Sequence, residues 1–228
     1  MSSHPFEAAA DAVVAGDAET LRALLRTHPT LVHDRSPRTH HATLLHYVAA
    51  NGVEDERQRT PANAAGIAQL LLDAGADPDA LAEMYGGRCT TLSLLVSSTP
   101  LAEARVQIAL VEALVDAGAS VEPVGVGAWD SPLATALAFG MRDAAETLVR
   151  RGARIDTLPK AAGLGRLDEV RRLLPATDAD ARHGALAVAA QLGHADVRDT
   201  IYHATPLQWA EHGRRADVAA YLRSVGEC

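Results

Sequence analysis

The side chains that could do chemistry in this chain are its histidines, its cysteines and two glycine-containing loops. Of the ten histidines, His40, His41 and His46 form the densest group. Imidazoles at this spacing could ligate a metal ion, or one of them could act as a general base beside a nucleophile. A metal- or small-ligand-binding protein or a hydrolase would then use the His40–His46 region and the polar stretch after it as its pocket.

The other reactive side chains lack the spacing that a catalytic or metal site needs. The later histidines share no ligand spacing, and Cys89 and Cys228 lie too far apart in sequence to form a metal or redox motif. The loops 125–127 and 163–165 have neither a preceding strand nor a lysine, so they do not match a phosphate-binding loop. We therefore expect no enzyme activity, no metal and no cofactor.

Composition restricts the class of partner. The chain has 228 residues, is 48% hydrophobic and only 4% aromatic, and carries a net charge of −8 at pH 7. This charge disfavours binding to nucleic acid or to anionic lipid. The N-terminus has neither a basic start nor an apolar run, and no window resembles a membrane span, so we expect a cytoplasmic protein.

The stretch 131–156 shows which secondary-structure elements the chain is built from. Ser131 can cap a helix and Pro132 suits its first position, while Gly140 can end it in the left-handed conformation. A second run with helical spacing follows and is closed by Gly152. The sequence thus predicts an antiparallel helix pair, which needs a neighbour of the same shape to bury its apolar faces.

Copies of this unit recur along the chain. Three of them open with similar residues, namely Thr43-Leu44-Leu45-His46, Thr90-Thr91-Leu92-Ser93 and Thr205-Pro206-Leu207-Gln208. Second helices ending in Leu-Leu-x-x-Gly-Ala or close variants follow at 67–76 and 111–119. These segments resemble the ankyrin repeat, with its Thr-Pro-Leu-His opening and small-residue first helix, from about Phe6 onward.

The resemblance implies an all-α fold, an ankyrin repeat solenoid of helix-turn-helix pairs joined by short β-hairpins. The chain would form a single domain, 1–228, with an N-terminal capping helix pair at 6–37, internal repeats at 38–204 and a C-terminal capping repeat at 205–228. In this family the histidine at the position of His46 hydrogen-bonds backbone and the threonine hydroxyl between repeats. That structural role competes with the metal or catalytic role of the histidine group.

Several repeats depart from the pattern. A polar insertion, 53–61, separates the helices of the first full repeat, and 97–103 lengthens the second. The hairpin expected from Asp79 to Thr91 should have positive φ angles at Gly86 and Gly87.

The fifth repeat lacks its second helix, as though a segment had been lost after Val197. Val197 and Ile201 could share one face of a short helix, or 197–205 could be an extended crossover. We favour the short helix.

The resemblance also implies a function, namely binding of a partner protein on the concave face formed by hairpins and first helices. The positions that map to this face are Asn51, Phe139, Leu164, Leu192 and His212 on helices, and Tyr85, Arg88 and Trp129 on hairpins. Apolar side chains exposed beside arginine are typical of interface hot spots. For Leu164 and Leu192 the alternative is packing against the adjacent repeat.

Two further questions stay open at this point. The chain could be an inhibitor or immunity-type protein whose acidic face masks a basic target, in which case binding should weaken steeply with salt. We expect a monomer, with a dimer through the irregular fifth repeat as the alternative. The sequence does not identify the partner protein.

Overall fold

The computed structural model describes residues 5–49, 53–54, 57–193, 220 and 223. This part of the chain is mostly helical, which confirms the predicted all-α class, and it contains one two-stranded sheet. The α-helices are α1 (Pro5–Ala15), α2 (Ala18–Thr27), α3 (Ala64–Asp73), α4 (Thr91–Leu95), α5 (Thr99–Glu103), α6 (Gln107–Asp116), α7 (Pro132–Ala138), α8 (Arg142–Arg150), α9 (Leu158–Gly163), α10 (Leu167–Leu173) and α11 (Ala179–Gln191). Short 3-10 helices span Pro29–Val32, Leu44–Ala49 and Leu174–Ala176.

The pair α7 and α8 forms as its sequence predicts. The Ser131 hydroxyl accepts a hydrogen bond from the Ala134 amide at 3.3 Å, and Pro132 occupies the first turn of α7. Gly140 then has a φ of +72° and turns the chain back into α8. Leu133 and Leu148 are buried between the two helices and their neighbours, so the predicted apolar faces do form the core.

Many of the helices form two rows, in which each helix contacts the next one along the row. The first row consists of α1, the 3-10 helix Leu44–Ala49, α4, α7, α9 and α11, each in contact with the next. The second row consists of α2, α3, α6 and α8. Leucine and alanine side chains fill the space between the rows, and a smaller apolar cluster begins at Leu158.

Two elements differ in detail from the expected pattern. The segment predicted as the first helix of the first full repeat is a 3-10 helix, Leu44–Ala49, and the His46 amide donates to the Thr43 carbonyl three residues earlier at 3.1 Å. In the segment predicted as a lengthened second repeat, the extra residues form a helix of their own, α5.

The predicted helix pair at the N-terminus is present, and the Asp17 carboxylate caps α2 by accepting a hydrogen bond from the Thr20 amide at 3.0 Å.

The sheet is the predicted hairpin between the second and third helix pairs. Strands β1 (Leu81–Met84) and β2 (Gly87–Thr90) are antiparallel, with Glu83 opposite Arg88. The left-handed residues of its turn are Tyr85 (φ 52°) and Gly86 (φ 74°). The expectation that Gly86 and Gly87 supply these angles is therefore wrong by one position, because the two-residue loop starts at Tyr85.

Carboxylates link two of the connections to the ones that follow them. Asp79 Oδ1 accepts a hydrogen bond from the Ser120 amide at 2.9 Å, and Glu122 Oε1 accepts one from the Arg154 amide at 2.8 Å. These bonds join residues about one repeat apart and set the spacing between successive units.

Some predictions fall on residues that the structure does not describe. The end of the fifth repeat from Val197 to Thr205 lies outside the described residues, as does the C-terminal capping repeat apart from Ala220 and Arg223. Among the residues that are described, no helix has the length and apolar character needed to cross a membrane.

Candidate partner-binding surface

A row of backbone segments places the predicted hairpin residues side by side. The Glu83 amide in β1 donates to the His40 carbonyl at 2.8 Å, and β1 pairs with β2. On the other side, Arg88 in β2 exchanges two hydrogen bonds with Val126, at 2.8 and 3.1 Å. We call the segments around His40, β1, β2 and Val126 the hairpin row.

Two glycines allow the close approach of β2 to the segment around Val126. A Cβ atom on Gly87 would clash with the Val126 carbonyl oxygen, and one on Gly125 would clash with the Arg88 carbonyl oxygen. Any side chain at either position would therefore push the backbones apart. Gly87 is needed for this contact rather than for the turn.

The outward face of the hairpin row carries charged and apolar side chains. Glu83, Arg88 and Val126 line an open concavity of about 370 Å³, together with Met84, Gly86 and Gly87. Val126 is 56% exposed, and Tyr85 at the turn is 58% exposed. Tyr85 and Arg88 therefore lie on the surface, as the sequence predicts.

An aromatic pair flanks the adjacent helix, α7. The rings of Trp129 and Phe139 are 5.3 Å apart between centroids and tilted by 59°. Trp129 is half-buried against the core, while Phe139 is 46% exposed. Trp129 lies before the start of α7 and Phe139 is its C-cap residue, so α7 brings the two rings together.

Two predicted surface residues are buried instead. Leu164 and Leu192 are only 5% and 6% exposed, so they are unavailable to a partner. Leu164 follows Gly163, whose missing side chain lets Val188 of α11 pack directly on α9. The end of α11 is held against α7 by Gln191, which donates to the Ala138 carbonyl at 2.9 Å, and this places Leu192 in the core.

The remaining two predicted positions, Asn51 and His212, lie outside the described residues. The candidate surface that the structure brings together therefore consists of Tyr85, Arg88, Trp129 and Phe139.

His46 has the structural role that the resemblance implies. Its Nδ1 lies 2.8 Å from the Thr43 hydroxyl oxygen, and its Nε2 lies 3.3 Å from the Cys89 carbonyl oxygen. A carbonyl can only accept, so Nε2 carries the proton. Burial lowers the pKa of this imidazole to about 4. Because both nitrogens are bonded and the ring is fully buried, His46 is not available as a ligand or base.

His40 belongs to a polar cluster that sequence analysis missed. Its Nδ1 accepts from the Ala42 amide at 3.1 Å, so Nε2 carries the proton and donates to Glu54 Oε1 at 3.2 Å. The Tyr47 hydroxyl donates to the same oxygen at 2.8 Å, and Arg57 donates to Glu54 Oε2 at 2.8 Å. Glu54 is thus the centre of the cluster, and its side chain is only 5% exposed.

Charges around Glu54 compensate its burial. Arg38 adds a third ion-pair contact to Glu54, and Arg57 also bonds Glu7 and Asp11 on α1. Burial alone would raise the pKa of the Glu54 carboxyl, but the hydrogen bonds from Arg57, Tyr47 and His40 outweigh it and lower the pKa. The cluster fastens the start of the insertion to α1 and holds His40 in place.

The groups in the polar cluster and around Cys89 are engaged or buried. The carboxylate oxygens of Glu54 accept hydrogen bonds from His40, Tyr47 and Arg57. Cys89 is buried, and burial together with Asp130 raises the pKa of its thiol, which disfavours the reactive thiolate. Within the described ranges, no three His, Cys, Asp or Glu side chains are grouped to hold a metal ion.

Comparison with known proteins gives no family assignment. No protein-family model matches the chain, and a search of curated proteins finds no match either.

Proposed function

We propose that the chain is a single ankyrin-like repeat domain that binds a partner protein through the hairpin row and the exposed side of α7. The repeat assignment is supported by the order of helix contacts, in which each helix meets its counterpart in the next unit. It is also supported by His46, which joins the Thr43 opening of one unit to the Cys89 carbonyl of the next hairpin. A cytoplasmic location is part of the proposal.

The observation that carries the proposal is the aromatic pair beside the hairpin row, in which Phe139 is exposed and Trp129 half-buried. Phe139 keeps nearly half of its surface in water although the chain has few aromatic residues. Large aromatic side chains on a rigid element give much contact area at low entropic cost, which is why they dominate interface energetics. Tyr85 and Arg88 extend this surface on the neighbouring hairpin.

The function is tested by affinity capture from a lysate of the source cell. The bait proteins are the native chain and a variant with both Trp129→Ala and Phe139→Ala. A matched control carries Arg22→Ala and Arg26→Ala, two exposed side chains on α2 in the second row. We expect the aromatic variant alone to lose the captured protein. Equal recovery by all three baits would exclude the proposed face.

The same capture separates a general binder from an inhibitor of a basic target. The chain's net charge of −8 would attract a basic protein over long range. If the captured protein were held mainly by this charge, its recovery would fall steeply between low and high salt. We expect recovery to depend on salt only weakly, because aromatic contacts are apolar.

A further inference from the structure

The end of α11 reaches past the helix pair α9–α10 to the pair α7–α8. Gln191 donates to the Ala138 carbonyl at the end of α7 at 2.9 Å, and Arg142 at the start of α8 donates to the Leu192 carbonyl. Both bonds bypass α9, which lies between α7 and α11 in the first row. The last turn of α11 therefore passes over the end of α9. We call residues 188–192 the lid.

A glycine makes room for the lid. A Cβ atom on Gly163, the last residue of α9, would lie 2.6 Å from Val188 Cγ1 of α11 and 3.2 Å from Leu137 Cδ2 of α7. Both distances are too short for a real side chain, so the three helices can meet only because position 163 has none. Leu164, which follows directly, is buried at this meeting point.

The lid separates Leu164 from the exposed ring of the proposed binding surface. Phe139 and Leu164 are the C-cap residues of α7 and α9, two helices that contact each other, so they occupy equivalent places in neighbouring units. Gln191 of the lid lies beside Gly140, the residue after Phe139, with its Nε2 3.5 Å from where a Cβ of residue 140 would be. Removing the lid would therefore expose Leu164 next to Phe139 and extend the apolar surface along the row.

Little apolar surface anchors α11. Of its 13 residues only Ala185 and Ala189 are buried, and they belong to the smaller apolar cluster with α9 and α10. The ten-residue helix α6, in contrast, buries two leucines and a valine in the main core. Stabilisation by burial grows with apolar area, and elements with few buried apolar contacts open locally while the rest of the chain stays folded. We therefore expect the lid to open without global unfolding.

We propose that the lid is an autoinhibitory element, which covers Leu164 in the free chain and is displaced when the partner protein binds. The partner then contacts Leu164 together with Phe139 and Trp129. Because only the open state offers the whole surface, the free energy of opening lowers the apparent affinity for the partner. This inference rests on the proposed function and specifies how the same surface is regulated.

The reaction rate of a covered thiol measures the opening. Leu164→Cys is made in a full-length chain whose own two cysteines are replaced by alanine. Leu92→Cys is the matched control, because Leu92 is buried in α4, away from the lid. Reaction with a thiol reagent without denaturant, followed by mass spectrometry, reports how often each position is open. We expect the cysteine under the lid to react about tenfold faster than the control cysteine, or more.

A variant with a weakened lid carries both Arg142→Ala and Gln191→Ala, which remove the two bonds from the lid to α7 and α8. It should speed the reaction of the cysteine under the lid by about tenfold, and it should leave the control cysteine unchanged. Its matched control carries Arg22→Ala and Gln69→Ala, two exposed side chains on α2 and α3. This pair should change neither rate.

Affinity capture gives a second, independent measurement. With the weakened lid as bait, less free energy is spent on opening, so more of the captured protein should be recovered than with the native chain. The control pair on α2 and α3 should recover the native amount. Far-UV circular dichroism checks that all the variants are folded.

Three results would overturn the proposal of a lid. They are equal reaction rates for the two cysteines, a weakened lid that does not speed the reaction beneath it, and equal recovery of the captured protein by the weakened-lid and native baits. If capture nevertheless depends on Trp129 and Phe139, the proposed function stands and only the lid fails. If the aromatic variant captures the partner normally, the proposed function itself is wrong, whatever the reaction rates show.

Discussion

Lowering the pH from 7 to 5 is expected to cost the folded chain about 2 kcal/mol through His46 alone. The imidazole has a pKa of about 4 in the folded chain, against an ordinary value of 6.5. Between these two values the unfolded chain binds a proton that the folded chain does not, so stability falls as the pH falls. A carboxylate with a pKa below its ordinary range loses its contribution only below about pH 4.5, so it adds little to this window.

Urea unfolding at a series of pH values, followed by circular dichroism, measures this cost. The variant is His46→Gln, because glutamine can still donate and accept a hydrogen bond but does not titrate. Its overall stability will be lower, since the fit to Thr43 and Cys89 is lost, but the informative quantity is the difference between pH 7 and pH 5. We expect that difference to be about 2 kcal/mol smaller than in the native chain.

His28→Gln is the matched control, because His28 lies on the surface at the end of α2. It removes a histidine without touching the core and should keep the full pH dependence of the native chain. The reasoning about His46 is refuted if the native chain and His46→Gln lose the same free energy between pH 7 and pH 5.

Five other substitutions test the packing and the polar cluster, all by urea unfolding. Gly87→Ala should destabilise the folded chain by about 1–3 kcal/mol, because the added Cβ would clash with the Val126 carbonyl. Gly66→Ala is its control on α3, where the added Cβ meets open space, and should stabilise the folded chain by about 0.5–1 kcal/mol. Equal effects would mean that β2 and Val126 are not in close contact. Leu164→Ala should cost about 2–5 kcal/mol and Phe139→Ala less than about 1 kcal/mol; a reversed order would place Leu164 on the surface. Glu54→Gln should cost about 1–3 kcal/mol because buried donors lose a charged acceptor, and an unchanged stability would show that the polar cluster does not hold the insertion.

Local signals made the helix pairs predictable. Ser131, Pro132 and Gly140 act on the backbone within a few residues, and the structure places the cap, the first turn and the reversal at these positions. The histidine at position 46 was also assigned correctly, since its partners, Thr43 and the next hairpin, follow from the resemblance. Features that are set within one helix pair, or by a contact that recurs between neighbouring pairs, can thus be predicted from the sequence.

Burial at the ends of the first helices could not be predicted in the same way. Phe139, Leu164 and Leu192 each precede a glycine and occupy the same place in the pattern. Only Phe139 is exposed, because close packing around Gly163 and the fixed end of α11 cover the two leucines. Whether the residue at the end of a first helix is buried therefore depends on the neighbouring helix pair, and not on the residues next to it in sequence.

The polar cluster was missed for a related reason. The partners of Glu54 are Arg38, His40, Tyr47 and Arg57, which are scattered in sequence and share no period. The insertion is polar in composition, so it resembles a solvated loop. Its anchoring depends on a single buried carboxylate whose partners are assembled only by the fold.

The carboxylate links at Asp79 and Glu122 have a mechanical consequence. Each joins one connection only to the next, through the amides of Ser120 and Arg154. A load applied at the two ends of the chain would act on both links in series. The molecule should therefore lengthen in increments of about one helix pair, because each link that breaks frees one pair from its neighbour.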